Sequence, residues 1–152
     1  MKSLRDEIRL MAGEEDGFDF ILAKARISLY HIREVIIVAE NKLADLSMDF
    51  AVSILKLTDT LKGHHALKNQ LERSATSIGA NIREAKYTHS RADFISKLQI
   101  SLKECYETEY WLELFLRAEL LSEGVVRKLL HDCGVIRRML ITSINTAKGN
   151  VS

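Results

Sequence analysis

The sequence predicts an all-α fold, an up-down bundle of four helices with an extra segment at its N-terminus. Three observations carry this. Proline is absent and only seven glycines occur, whereas sandwiches and barrels need many turns that draw on those residues. Apolar residues recur at steps of three and four from residue 41 onward, the period of a helix with one buried face. The breaks between these runs are short, which sets consecutive helices side by side and antiparallel. The chain's 152 residues, 47% hydrophobic and 28% charged, suit one ordinary domain that can bury a core without disulfides or metals.

Residues 1–40 differ from the rest and read as an N-terminal extension. Leu4, Ile8 and Met11 share a short helical face ending at Gly13, and GEEDG reads as a solvated turn. Phe18 to Ala39 mixes helical spacing with the β-branched run Val35 to Val38, so helix and strand both fit; its helical neighbours favour helix. The bundle spans residues 41–148. Its first helix carries Leu43, Phe50, Ile54, Leu57 and Leu61 at steps of three, four and seven, with Lys42, Asp45, Asp49, Lys56 and Asp59 largely elsewhere, and stops at Gly63. In the second, Leu67, Leu71, Ala75, Ile78, Ile82 and Ala85 follow the spacing of a packing seam. The third starts near Arg91, where Ser90 and Asp93 form a variant capping box, and continues through Phe94, Leu98, Leu102, Cys105, Leu112 and Phe115 or Leu116. LLSEG ends it. Ser122 is the expected N-cap of the fourth, whose face is Val126, Leu129, Leu130, Cys133, Ile136, Leu140 and Ile144; it frays after Ala147 into a disordered tail, 149–152.

The second helix contains RSATSIGANIREA, Arg73 to Ala85, whose serine, threonine, glycine and asparagine form helix less readily than alanine or leucine. These residues are ordered. Beside the apolar seam runs a stripe of Ser74, Ser77, Asn81, Glu84 and Thr88, again at steps of three and four. Small side chains at Ser74, Ala75, Ser77, Gly79 and Ala80 let another helix approach closely, and Gly79 gives up about 1 kcal/mol of helix propensity there. The stripe is either an exposed polar face or a polar network within the bundle or between subunits. A network must satisfy Asn81 and Glu84, because an unpartnered buried polar group costs roughly 1–3 kcal/mol.

Several function classes are disfavoured. A net charge of +1 gives no global field of the kind that marks a nucleic-acid binder. Cys105 and Cys133 lie in helical runs, which fits two reduced, packed thiols and a cytoplasmic setting. No run approaches the roughly 18 apolar residues of a membrane span, and the N-terminus lacks the order of a secretory signal; no membrane partner is expected. Among five histidines only His64 and His65 cluster, without H-E-x-x-H or paired-cysteine spacing, so neither metal nor other cofactor is expected. SIGAN has one glycine and no following Lys-Ser or Lys-Thr, unlike a phosphate loop. Glu107 and Glu109 lie two residues apart on different helix faces, and the E-x-x-H pairs of di-iron bundles are missing. The expected protein is not an enzyme.

LERSATSIGANIREAKYTHSRADFISKLQISLKECYETEYWLELF, Leu71 to Phe115, closely resembles the bacterial four-helix bundle family first noticed as reading frames inside intervening sequences of large-subunit ribosomal RNA genes. Its marks are an R-S-x-x-S-I-x-x-N-I-x-E core, an S-x-A-D-F-x-x-K-L entry and an E-x-x-Y-W-L-x-L segment, in the family's order. The resemblance extends through NKLADLSMDFAVSILKL and the last helix, about residues 41 to 148. It implies a left-handed bundle that assembles as a homo-oligomer, a pentamer. A more distant resemblance is to the accessory variability protein of diversity-generating retroelements, a basic pentamer implicated in nucleic-acid binding. Motif membership carries over to Arg73, Ser77, Asn81 and Glu84 on the second helix, and to Asp93, Phe94, Lys97, Glu104, Tyr110 and Trp111 on the third, as a structural network or oligomer interface. Within it, Arg73, Lys97, Glu84 and Glu104 are expected to join helices through charge and hydrogen bonds. Family members begin near the segment equivalent to Ala39–Leu46, so Met1 to Val38 is either an additional element or upstream sequence attached by an early start codon.

Arg83, Lys86 and Arg91 near one bundle end, with Arg127, Lys128, Arg137, Arg138 and Lys148 on the last helix, are candidates for phosphate contacts. Scattered on one subunit, they would become rings under oligomer symmetry. Tyr106, Tyr110 and Trp111 form an aromatic stripe suited to core or subunit packing, or to base stacking. The expected function is a non-enzymatic oligomeric bundle that binds nucleic acid, RNA above all. The alternative is a structural or protein–protein adaptor of the same fold with no nucleic-acid role.

Overall fold

The structure, a computed structural model, describes residues 17–149, and within residues 17–40 the side chains of 24–26 and 28–30 alone. The expected face of Leu4, Ile8 and Met11, all of GEEDG but its last residue, and residues 150–152 of the expected tail lie outside the described residues. The described residues form four helices: α1 (Gly17–Thr60), α2 (His65–Ala85), α3 (Arg91–Arg117) and α4 (Glu123–Lys148). Contacts divide the chain between Asn41 and Lys42 into two units. The ambiguous stretch Phe18 to Ala39 is helical, within the 44 residues of α1. A β-branched side chain loses only a fraction of a kcal/mol in a helix, less than interrupting the backbone ladder on both sides of it.

In the second unit the seams become the core. Leu43, Phe50 and Ile54 of α1, Leu71, Ala75, Ile78 and Ile82 of α2, Leu98, Cys105, Leu112 and Phe115 of α3, and Val126, Leu129, Cys133, Ile136, Leu140 and Ile144 of α4 are all buried. Leu57, Leu61, Leu67, Phe94, Leu102 and Leu130 pack half-buried at its margin. Five hydroxyl residues share the core: Ser47, Thr58, Ser74, Ser101 and Thr108. Each has an acceptor, as a buried hydroxyl must if it is not to cost about 1–3 kcal/mol. Ser47 donates to Ala44 O at 2.8 Å, Thr58 to Leu55 O at 3.0 Å and Ser74 to Leu71 O at 3.2 Å, all within their own helices. Ser101 reaches across, donating to Ile78 O of α2 at 3.0 Å.

Contacts fix which helices are neighbours. A Cβ added at Gly79 of α2 would lie 3.3 Å from Ser47 Oγ of α1, so the missing side chain permits the close approach. Lys68 Nζ of α2 donates to Leu61 O just past α1 at 2.9 Å. Between α2 and α3, Ser74 meets Thr108, Ile78 meets Ser101 and Glu84 meets Lys97; one number rises as the other falls, so the pair is antiparallel. Between α3 and α4, Cys133 Sγ donates to Cys105 O at 3.6 Å, and Arg91 Nε donates to Ala147 O. Leu46, Asp49, Phe50 and Ser53 of α1 share a cleft with Lys128, Asp132, Val135 and Ile136 of α4.

Local signals set the ends. Gly63 (φ 73°) and His64 (φ 51°) make the left-handed turn between α1 and α2. Ser90 Oγ accepts from Asp93 N at 3.1 Å, capping α3. Ser122 stands at the N-cap of α4, but its hydroxyl makes no cap bond; its carbonyl accepts from Val126 N at 3.1 Å instead. Gly149, in the left-handed region at φ 79°, closes α4. No described helix is long and apolar enough to cross a membrane.

Candidate functional site

RSATSIGANIREA lies along the contact between α2 and α3. Toward one end, Arg73 pairs with Glu107 and sits 3.8 Å from Glu104 Oε2. Gln70 Oε1 accepts from Arg73 Nε at 3.3 Å, and Trp111 Nε1 donates to Glu107 Oε1 at 3.3 Å. Toward the other end, Lys97 Nζ donates to Glu84 Oε2 at 2.6 Å. That bond raises Lys97 above the ordinary lysine value. Between these charged pairs lie the buried hydroxyls: Thr108 Oγ1 is 2.9 Å from Ser74 Oγ and 2.8 Å from Glu104 O. The structure thus brings Arg73 to Glu104 and Glu84 to Lys97, each pair spanning two helices.

Glu104 is the least satisfied of these groups. Its side chain is 16% exposed, and Oε2 has no hydrogen-bond partner among the described residues. Burial first, and then the like charge of Glu107, pushes its carboxyl above the ordinary range, while Arg73 acts in the opposite direction. Arg73 is shared, and Glu107 holds it more closely.

Other motif residues act locally. Asn81 is half-buried and donates from Nδ2 to Ser77 O at 2.9 Å on its own helix. Ser77 is half-buried beside it, Asp93 supplies the amide that Ser90 caps, and Phe94 lies against the core. Tyr110 is exposed and meets Trp111 edge-on, with ring centroids 4.9 Å apart at 71°.

The basic candidates divide into two groups. Arg127 pairs with Glu123 at 2.7 Å and Lys128 with Asp132 at 2.8 Å, both one turn away on α4. Arg137 Nε donates to Glu109 Oε1 at 3.0 Å, which raises the guanidinium above its ordinary value, and it lies 5.4 Å from the centre of the Tyr106 ring. These three cations are matched by carboxylates within the chain. Arg83, Arg138 and Lys148 are exposed and have no ion pair among the described residues. The Arg91–Ala147 bond docks the start of α3 on the end of α4, and α2 ends just before α3 begins. Arg83, Lys86, Arg91 and Lys148 therefore gather at one end of the second unit, where Tyr87 lies in the link from α2 to α3.

The cysteines offer no reactive centre. Contact with Cys105 and burial push the Cys133 thiol up, holding it protonated. Among the described residues, no group of three His, Cys, Asp or Glu side chains could hold a metal ion. Sequence reasoning missed Glu107 and Glu109 as the partners of Arg73 and Arg137, and the buried hydroxyls between helices. One signal was present: the seven-residue step from Cys105 to Leu112 skips a seam position, and Thr108 fills it.

Fold and contacts define an all-helical protein whose α2 and α3 are joined by charged pairs and buried hydroxyls rather than arranged around a pocket. The chain belongs to the 23S rRNA-intervening sequence protein family, whose model matches residues 39–142, as its motifs indicate. A crystal structure of a protein of unknown function from the S23 ribosomal protein family of Bacteroides thetaiotaomicron is similar to it. That structure is 44% identical with a TM-score of 0.67, and the match covers 70% of this chain and 98% of the other. No curated protein matches the chain.

Proposed function

We propose that the chain is a non-enzymatic, cytoplasmic, up-down four-helix bundle that assembles with copies of itself and binds RNA through the basic end formed by Arg83, Lys86, Arg91 and Lys148. One observation carries this reading: among the described residues the end holds these four cations and Lys97, against two carboxylates, Glu84 and Asp93; Glu84 is taken by Lys97, Lys86 makes an interaction of its own, and Arg83 and Lys148 have no ion pair. Lys42 and Asp45, exposed in the turns of α1 before Ser47, add one charge of each sign. Arg83 and Lys148, in the last turns of α2 and α4, also suit the negative ends of those helix dipoles. Their exposed heads remain open to phosphate. The sequential antiparallel contacts support the bundle, and the family resemblance supports a left-handed pentamer.

Self-association has its own support. Met48, Val52 and Leu55 are spaced by four and three residues on one face of α1 and are 50%, 39% and 42% exposed. A second copy covering this stripe would repeat the basic end around the symmetry axis, so that a subunit of net charge +1 presents a cationic ring. The same stripe favours the second reading, an adaptor that uses α1 and ignores nucleic acid. The two separate by salt: phosphate contacts make log K fall linearly with log salt concentration. RNA binding predicts co-purifying nucleic acid, a salt-sensitive shift with RNA, and loss of that shift in Arg83→Glu/Lys148→Glu. An oligomer that shows no salt-sensitive binding to structured or single-stranded RNA overturns it.

A further inference from the structure

We infer that the basic end takes unpaired rather than duplex RNA, with Tyr87 as the surface on which a base stacks; this rests on the proposed function above and names its partner. Tyr87 lies in the short link between α2 and α3, held by its backbone: Tyr87 N donates to Glu84 O at 3.0 Å, and Thr88 N to Ala85 O at 3.3 Å, with Ala85 itself buried. The link is anchored, and the ring projects from it. At 77% exposure Tyr87 is the most exposed large apolar side chain among the described residues. It also differs from the other described tyrosines in having no partner among the described residues. Tyr106 carries Arg137 over its ring, Tyr110 rests on Trp111, and Tyr30 makes an interaction of its own. Tyr87 makes no ring contact, and its hydroxyl has no hydrogen bond among the described residues.

The surroundings select the occupant. Lys86 and His89 flank the ring in sequence, Arg83 lies one turn back on α2, Arg91 opens α3, and Lys148 approaches through the Arg91–Ala147 contact. Glu84 is engaged by Lys97, and Asp93 lies in the first turn of α3, where the helix dipole already favours it. An exposed aromatic ring at a cation-bearing end is the arrangement that holds single strands: the cations follow the phosphates while bases stack on the ring. In duplex A-form RNA the base faces are occupied by neighbouring pairs, and the deep major groove is closed to side chains. A duplex could use the cations but not the ring.

The test uses the full chain with a short single-stranded oligo(U) and with the same RNA annealed to its complement. The single strand should bind at least about tenfold more tightly than the duplex. Tyr87→Ala should weaken single-strand binding by roughly ten- to a hundredfold, the loss of one stacked base, without altering the salt slope. Tyr87→Phe, which keeps the ring, should bind as the parent does. Arg83→Gln should instead reduce the slope by about 0.7, the signature of one phosphate contact on a single strand. Because Tyr87 is 77% exposed and has no hydrogen bond or ring contact among the described residues, its variants should melt with the parent. Equal affinity for strand and duplex, or a Tyr87→Ala variant that binds normally, overturns the stacking role while leaving the basic end intact. Absence of any salt-sensitive binding overturns the proposed function itself.

Discussion

The hydroxyl pair between α2 and α3 gives a quantitative test of what joins these helices. Thr108 is fully buried, with Oγ1 2.9 Å from Ser74 Oγ and 2.8 Å from Glu104 O, while Ser74 Oγ lies 3.2 Å from Leu71 O. Each hydroxyl has one proton, so a chain forms in which Thr108 donates to Ser74 and Ser74 to Leu71. Thr108→Val keeps the volume and removes the donor, yet orphans no proton, because Ser74 retains Leu71 O. Its cost should be that of one net hydrogen bond, about 0.5–1.5 kcal/mol. Ser74→Ala leaves Thr108 free to donate to Glu104 O and gains a few tenths of a kcal/mol of helix propensity, so it should cost less. With both hydroxyls gone nothing remains to couple, and the double variant should be about 1 kcal/mol more stable than the sum of the single losses predicts. Urea denaturation of the four proteins at one protein concentration measures this, since self-association makes stability concentration-dependent. In a thermal scan about 1 kcal/mol corresponds to roughly 2–4 °C at this chain length. Losses that add to within about 0.3 kcal/mol would refute the cross-helix hydroxyl bond.

Three further outcomes follow from the geometry. The Glu104 carboxyl is raised on folding, so its favourable contribution belongs to the protonated form and is lost as pH rises through the raised folded value. Glu104→Gln should therefore stabilise by about 1 kcal/mol at neutral pH and make no difference below the carboxylate range; a destabilised variant at neutral pH would show that Arg73 dominates. At Gly79, where an added Cβ would sit 3.3 Å from Ser47 Oγ, alanine should be near neutral, since about 1 kcal/mol of helix propensity offsets the crowding. Gly79→Leu should lose about 3 kcal/mol in denaturant melts, and full tolerance of leucine would remove the close approach. Arg137→Met leaves Glu109, 20% exposed, without its partner. It should cost about 1–2 kcal/mol, largely restored by Glu109→Gln, with RNA affinity in a binding titration unchanged.

Much of this was legible in the chain, for local reasons. The seams of α2 and α4 are written at three- and four-residue steps, and the buried residues fall on them, Ser74 and Gly134 apart. Gly63 and Ser90 mark a turn and a helix start because φ preference and side-chain capping act over a few residues, whereas Gly149, expected in a tail, closes α4. Ser122 shows the limit of such signals: the right residue stands at the right place without making the bond. The charged pairs of α2 and α3 could be grouped through the family motif, yet their partners could not be assigned. Glu104 and Glu107 lie three residues apart on one face, and which of them Arg73 favours depends on how far α3 is rotated and shifted against α2.

The sequence by itself determined that the chain from residue 41 onward is helical, where most of those helices begin and end, and which faces turn inward, because these follow from residue spacing and backbone preference. It also determined the family, through motifs that survive as text. Tertiary structure decided which polar groups meet. The Ser74–Thr108 bond, the shared Arg73, the capture of Arg137 by Glu109 and the placing of Lys148 at the end that carries Arg83, Lys86 and Arg91 all depend on register between segments far apart in the chain. Register is set by the packing of whole faces, with Gly79 admitting α1 and the hydroxyls fixing α3, and no local pattern encodes it.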